Sequence, residues 1–382
     1  MKVLLVSVGP EFVEDGPAAA DTLARHAVYV ARLQARAPGS EVRVLSLVRG
    51  RAGRGGWAAR GPLQAAWIGL DSLPGALASL AGLLVSPGLF RDWRPDLVAC
   101  QSPLEDGLFS WLLARRLGAR HMTQVHFQRR QVGTDYRGAL RRLLPPLVLR
   151  LTDRIRFVSR PQRDEFLAAY RLDPARSDIA PVPMVLQALA ETDPGPPADR
   201  RGPLVLFAGR FVAQKNLDDW LEVAVRVTDR VPGARFVLAG DGPFRPYVET
   251  CVRDGPLAGY VTFPGVLATA ELADLYRQAA VFLLTSHDDA FGRVVAEAGA
   301  FGIPVVSTRC GGPEEILVDR GTGCLFAHGD IDGMADAVAA LLSDPALRAR
   351  IGAAARERVH AEYALEPLAD RIAAGWLEAA HG

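Results

Sequence analysis

Two runs of strand–helix alternation, separated by a single Pro/Gly-rich connection, restrict this chain to a parallel α/β architecture built twice. KVLLVSVG, EVRVLSLV, PDLVACQS, RHMTQVHF and RIRFVSR read as strands, short windows crowded with apolar and β-branched residues. The stretches between them carry apolar residues at helical spacing, so the pattern is βαβ and the sheet is expected to be parallel. From residue 187 to 202 the text becomes QALAETDPGPPADRRG, polar and turn-rich, which is the composition of an interdomain connection. PLVLFAGR, ARFVLAG, VTFPG, AVFLLTS and PVVSTRC then restart the alternation, with LDDWLEVAVRVTDRV and TAELADLYRQAA as helices between them. The expected fold is α/β, two doubly wound domains at about 1–186 and 187–363 that face each other across a cleft. A ligand is expected there, at the carboxyl ends of both sheets. A last helix, about 364–382, is expected to pack back on the first domain. A chain of 382 residues gives each domain room for its own core.

The opening MKVLLVSVG has one lysine and too short an apolar run for a secretion signal, so it is expected to be the first buried strand. Residues 72–90 carry no charge, but Pro74, Pro87 and several glycines interrupt them. They read as a core or interfacial helix in preference to a membrane span. Cys100, Cys251, Cys310 and Cys324 form no CxxC pair, a spacing that suggests neither zinc nor a disulfide framework and fits a reducing cytoplasm. The formal net charge of +1 conceals an asymmetry: residues 1–190 hold 26 basic and 16 acidic residues, residues 191–382 hold 18 and 27. The two halves are expected to face different partners.

The densest chemistry lies in HDDAFGRVVAEAGAFGIPVV, residues 287–306. The strand before it ends near Ser286, which leaves Asp289 in the loop, while Phe291-Gly292 opens a helix that carries Glu297 in its second turn. The backbone amides of Phe291, Gly292, Arg293 and Val294 are expected to be free helix-start donors, a seat for phosphate. Glu297 lies about one turn deeper, an offset that suits a group attached to that phosphate. Its small and apolar neighbours predict a buried helix, where a carboxylate needs a hydrogen-bonding partner. The competing reading pairs Glu297 with an arginine inside the fold and leaves Asp289 a plain loop acid.

A second cluster is FAGRFVAQKNLDDWLE, residues 207–222, in which Arg210 and Lys215 bracket a short loop after a strand. Both cations are expected to project into the cleft from a solvent-facing loop. The chain has 42 arginines and only two lysines, Lys2 and Lys215. A compact point charge for phosphate oxygens is one physical reason to keep a lysine here; a solvated loop lysine is the other reading. GDGP at 240–243 lacks the third glycine of a dinucleotide fingerprint, since position 245 is Arg. The DID at 330–332 precedes an amphipathic helix and is expected to cap it, not to bind a metal.

In this order and spacing, GR…KN, GDGP, the acid/FG/acid unit and CGGPEEI…GTGCLF resemble the second domain of the retaining glycosyltransferase family 4, which has the GT-B fold of two Rossmann-like domains. The resemblance implies that Gly209, Arg210 and Lys215 lie at the donor diphosphate. It implies that Glu297 binds the nucleotide ribose hydroxyls and that Asp289 contacts the transferred sugar. Gly292 and the Gly311-Gly312 turn would let backbone approach the donor. The family usually has Glu at the first acid, and Asp289 is one methylene shorter. In the first domain QSPLEDG, TQVHF and TDRIRFVS resemble a subset of the family that acts on polysaccharide or lipid-linked acceptors. His126 looks like the histidine that the family places near the transferred sugar, with Gln101 and Glu105 on the acceptor side; Glu105 equally suits a helix cap. Where the family has a Gly-Gly loop, DGPAAAD offers only Gly16.

The expectation is therefore a retaining hexosyltransferase of polysaccharide biosynthesis that uses a nucleotide sugar, with no cofactor and no metal. Arg210, Lys215, His126 and Asp289 are its expected catalytic residues. The acceptor class is a glycan, a lipid-linked sugar or a small molecule, and no nucleic acid is expected as partner. FQRRQVGTDYRGALRRLLPPLVLRLTDRIR, residues 127–156, interleaves arginine with Leu, Val and Pro, the makeup of a basic amphipathic element. It predicts a cytoplasmic protein held peripherally on an anionic membrane surface. A sugar-nucleotide epimerase of the same fold, which needs no acceptor, and a catalytically silent binding subunit are the alternatives.

Overall fold

The computed structural model describes residues 1–382 except 16, 50–52, 71–85, 130–141, 184–189 and 191–192. The chain divides into two compact units, Met1–Pro183 with Glu366–Gly382, and Met184–Leu365.

The strands of the first unit are β1 (Lys2–Val8), β2 (Glu41–Arg49), β3 (Arg54–Arg60), β4 (Leu63–Leu70), β5 (Leu97–Cys100), β6 (Arg120–Val125), β7 (Arg154–Phe157) and β8 (Ser177–Ile179). They form one sheet in the order β3-β4-β2-β1-β5-β6-β7-β8. β1 sits inside that sheet because it is apolar on both faces. Val3 and Leu5 pack with Tyr29 of the helix Pro17–Arg36 and with Ile372 and Trp376 of the C-terminal helix Leu365–His381. Leu4 and Val6 face Phe109 and Leu113 of the helix Glu105–Leu117 on the other side.

One stretch departs from the strand–helix alternation expected of it. β3 and β4 form an antiparallel hairpin in which Arg60 pairs with Leu63 across a Gly61-Pro62 turn, and β4 then runs parallel to β2. Proline stops a helix here, and Leu63 and Ala65 are buried while Gln64 between them is exposed, the period of a strand. Trp57 anchors the hairpin: its indole N–H donates to the Leu89 carbonyl at 2.8 Å, and its ring packs on Phe90 and Trp93. The Arg43 guanidinium lies 4.5 Å from the Trp93 ring centre.

In the second unit β9 (Leu204–Ala208), β10 (Arg235–Ala239), β11 (Val261–Gly265), β12 (Val281–Leu284), β13 (Val305–Thr308) and β14 (Gly323–Phe326) form a parallel sheet in the order β11-β10-β9-β12-β13-β14. The helix Leu217–Arg230 begins with Asp218 and Asp219 and ends with Arg230, charges that suit its dipole. It buries Trp220, Val223, Ala224 and Val227, and the Trp220 indole donates to the Leu283 carbonyl at 3.1 Å. Asp330 caps the helix Ile331–Ser343, its carboxylate accepting from the Gly333 amide at 3.1 Å. Asp330→Ala is expected to lower stability by about 1 kcal/mol in urea unfolding without changing the fold.

Strand order reverses between β1 and β5 in the first sheet and between β9 and β12 in the second. At such a switch point the loops leaving the two strands diverge to opposite faces and open a crevice at the carboxyl edge. In the second unit those loops carry Arg210, Lys215 and Asp289. In the first they carry Gln101 and Glu105.

Candidate active site

Asp289 is the hub of the second unit's switch point. Its Oδ2 accepts from Lys215 Nζ at 2.9 Å, across 74 residues of sequence. Its Oδ1 accepts from the amides of Gly292 at 2.7 Å and Phe291 at 3.2 Å. Its backbone joins a third loop, the Asp289 amide donating to the Cys310 carbonyl at 2.7 Å and the Gly312 amide to the Asp289 carbonyl at 2.8 Å. The loops after β9, β12 and β13 are thus tied at one residue. Gln214 adds a second tie, its side-chain amide donating to the Asp288 carbonyl at 2.8 Å and its own carbonyl accepting from the His287 amide at 2.9 Å.

The glycines of this site are explained first by loop-on-loop contact. Gly292 has φ of 84°, and a side chain at Gly312 would place its Cβ 2.2 Å from the Phe291 carbonyl carbon. Both positions therefore exclude larger residues, Gly292 by conformation and Gly312 by space.

Two expectations need correction. The amides of Phe291 and Gly292 are not free donors, because Asp289 Oδ1 already takes both. Lys215 does not lie open on a solvent-facing loop either: its side chain is only 14% exposed and that of Asp289 18%. Half-buried charges at this distance need each other, and the asymmetric cost of losing one partner holds both in place. Arg210 does match the expectation of exposure, and its guanidinium makes no hydrogen bond or ion pair among the described residues.

Glu297 lies in the helix Arg293–Ala300 with its side chain 3% exposed. Oε1 accepts from Arg293 Nε at 2.7 Å and Oε2 from the Tyr276 hydroxyl at 3.1 Å. The arginine partner of the competing reading is therefore real. The Arg293 side chain is itself 48% exposed at the helix start. Tyr276 was not legible as a partner. Its ring stacks on Phe301 at 5.4 Å and Phe282 at 6.0 Å, and burial together with the Glu297 charge pushes its hydroxyl well above the usual pKa, so it stays a donor. Val294 is partly buried beside Arg293 on the first turn, and Gly209 follows β9 directly, its amide donating to the Ala239 carbonyl at 3.0 Å.

In the first unit Gly16 lies outside the described residues, as does the Glu105 side chain. Asp106, beside it, accepts from the Ser102 amide at 3.1 Å and from the Ser102 hydroxyl, which ties the helix start to the loop after β5. Gln101 follows β5 directly. His126 lies one residue beyond β6 and not on it, its ring bonded to Gln124 Oε1 at 3.2 Å. Burial lowers its pKa to about 3, with the charges of Arg156 and Arg25 adding to the effect, so the ring is neutral at pH 7. Among the described residues no group of three or more His, Cys, Asp and Glu is arranged to hold a metal ion. No helix among them is long and apolar enough to cross a membrane.

Two family models match the chain, Glycosyltransferase Family 4 over residues 23–184 and Glycosyl transferases group 1 over residues 191–358. The chain is 32% identical over 236 residues to a GDP-mannose-dependent alpha-(1-6)-phosphatidylinositol monomannoside mannosyltransferase of Mycobacterium tuberculosis, a match over 58% of this chain and 61% of that protein. It is 32% identical over 171 residues to an alpha-D-kanosaminyltransferase of Streptomyces kanamyceticus, covering 45% of this chain and 44% of that one. The matches thus span about half to three fifths of these relatives. Among solved structures, sucrose-phosphate synthase from Thermosynechococcus elongatus superposes with a TM-score of 0.77 at 22% identity, over 99% of this chain and 98% of that one. Anabaena HepE in complex with UDP and glucose does so with a TM-score of 0.72 at 16% identity, over 98% of each chain. At these identities the likeness is one of fold.

Proposed function

The chain belongs to glycosyltransferase family 4, with the GT-B fold, and we propose that it is a retaining transferase that moves a hexosyl group from a nucleoside diphosphate sugar to a glycan, lipid-linked or small-molecule acceptor. The observation that carries this reading is the Lys215–Asp289 pair at the switch point of the second unit, tied through the Phe291-Gly292 turn to the helix of Glu297. Asp289 holds Lys215 in place before any diphosphate arrives, so little freedom is lost when the ammonium meets phosphate oxygens. Arg210 brings a second, mobile cation from the exposed rim. Glu297 offers its carboxylate to ribose hydroxyls once the Arg293 side chain swings aside. The sugar–phosphate C1–O bond breaks, the acceptor oxygen bonds to C1 on the same face, and the acceptor proton passes to the departing phosphate oxygen. Lys215, Arg210 and the Arg293 and Val294 amides stabilise that charge without a metal ion. Both oxygens of Asp289 are engaged within the protein, so its first task is positional.

Anomeric configuration of the product by NMR tests retention: an inverted product contradicts it. Transfer is expected to continue undiminished in EDTA. Loss on chelation with rescue by manganese would replace cationic side chains by a metal as the diphosphate partner.

The mannosyltransferase relative is named for a phosphatidylinositol-linked acceptor, and one feature of the first unit suits a lipid surface. On the helix Leu144–Leu151 the inner face buries Pro145, Val148 and Leu149, while Leu143, just before it, Leu147 and Leu151 are exposed at successive turns. Arg142 and Arg150 are exposed beside them. An apolar ridge flanked by arginines is attracted to anionic bilayers, each arginine contributing about 1 kcal/mol before screening. Sedimentation with vesicles is expected to deplete the protein with anionic lipid at low salt and less at high salt. Equal recovery in the supernatant with and without anionic lipid contradicts peripheral attachment.

A further inference from the structure

Arg156 is a buried cation with no ion-pair partner in contact among the described residues. It lies on β7, its residue is 4% exposed, its Nε has no hydrogen-bond partner, and it makes no ion pair among the described residues. The nearby Asp178 carboxylate accepts from Arg154 at 2.8 and 3.2 Å and makes no hydrogen bond to Arg156; with the Tyr29 hydroxyl it offsets the buried charge only from a distance. The other groups around it are polar or positive. Gln124, in register with Arg156 on β6, is buried and bonded to His126. Arg25 is partly exposed on the helix Pro17–Arg36, and His26 beside it is buried with its Nδ1 bonded to the Thr22 carbonyl at 2.7 Å. Both histidines are held neutral, their pKa lowered to about 3 by burial and further by Arg25 and Arg156. The pKa of Arg156 itself is lowered to about 10 by burial. A desolvated guanidinium without an acceptor is costly, and native proteins pair such groups. Arg156 is the penultimate residue of β7 and His126 follows β6 directly, so both lie near the carboxyl edge of the sheet, the edge at which α/β folds bind ligands.

We propose that Arg156, supported by Arg25, His126 and Gln124, binds a phosphoryl group carried by the acceptor. The planar fork of Arg156 suits two phosphate oxygens, Arg25 supplies a second positive charge from the rim, and a neutral His126 gives a donor without demanding protonation. The inference deepens the transferase reading and rests on it only for calling this ligand the acceptor; binding of the phosphoryl group stands by itself.

The test uses the full chain and calorimetric titration of inorganic phosphate, with and without saturating UDP or GDP, so that the diphosphate seat is filled in one arm. Wild type is expected to bind phosphate saturably in both arms. Arg156→Met is expected to weaken that binding at least about tenfold while nucleotide affinity is unchanged. Its melting temperature is expected to hold or rise, because an uncompensated buried charge has been removed; a merely structural arginine would lower it. Arg25→Gln, at a partly exposed position, is the second variant and is expected to weaken phosphate binding several-fold. Phosphate bound equally by wild type and both variants, or not bound by wild type, overturns the proposal. Failure of wild type to bind either nucleotide counts instead against the donor reading, since the arm without nucleotide still decides the phosphate question. Vesicles of phosphatidylinositol compared with phosphatidylcholine separate the sources. Retention on the former that falls in Arg156→Met identifies a lipid headgroup, and phosphate binding with vesicle behaviour unchanged by the mutation identifies a soluble phosphorylated acceptor.

Discussion

Lys215→Ala is expected to lower kcat/KM by about a hundredfold and to lower the melting temperature as well. The first effect follows from removing a cation whose contact strengthens as the diphosphate leaves, on the order of 3 kcal/mol of transition-state stabilisation. The second follows from the pair itself: Asp289, 18% exposed, would lose the charge of its 2.9 Å partner and keep the Phe291 and Gly292 amides on Oδ1. Arg210→Ala separates the two effects, since an exposed guanidinium with no hydrogen bond or ion pair among the described residues contributes to turnover and not to folding. It is expected to lose activity at an unchanged melting temperature. Lys215→Arg is also expected to be impaired, because a planar fork does not fit where a point charge sits between Asp289 and the loop. Retention of more than about a tenth of wild-type turnover in Lys215→Ala would remove this lysine from the diphosphate contact.

Glu297→Ala is expected to cost about 3 kcal/mol of stability and to abolish measurable nucleotide binding. The change leaves the fully buried Tyr276 hydroxyl without its acceptor, removes the carboxylate that Arg293 Nε bonds and opens a small cavity. For a unit of this size the melting temperature should fall by about 6–12 °C. Glu297→Gln keeps the shape and the hydrogen bond from Tyr276 while losing the charge. It should be nearly as stable as wild type, yet bind nucleotide about tenfold or more weakly, because ribose hydroxyls lose a charged acceptor. Calorimetric unfolding and nucleotide titration of the pair read the two effects separately. A Gln variant with wild-type nucleotide affinity would reduce Glu297 to an internal partner of Arg293 and Tyr276.

The sheets were largely legible because their strands are dense apolar runs of ordinary length, and the hub was legible in part. Asp289, Gly292 and Glu297 stand out because they belong to one short segment. Lys215 stands out because lysine is so scarce here. What joins them was not legible, since the bond from Lys215 to Asp289 spans 74 residues and depends on β9 and β12 being neighbours. The engagement of Asp289 with the Phe291 and Gly292 amides did leave a signal, an Asp two and three residues before the donors of a turn, which is where Asp side chains habitually bond backbone. Tyr276 left none, because a tyrosine on the apolar face of a helix reads as core. β8 and β14, three and four residues long, are too short for a period to show, and the β3–β4 hairpin was obscured by small residues that fit either period. Arg156 shows the limit most clearly. In RIRFVSR it is one arginine among 42, and only burial with an Nε that has no hydrogen-bond partner among the described residues sets it apart.

The most direct test of the donor site is a melting-temperature panel of the full chain with UDP-, GDP- and ADP-sugars, run beside Lys215→Ala and Glu297→Gln. A ligand that binds only the folded state raises stability by about 2.7 kcal/mol at a hundred times its Kd, which is several degrees for a protein of this size. Such a rise is expected in wild type for one nucleotide class, much reduced in both variants. No rise with any of the three classes, or a rise of equal size in all three proteins, would contradict it.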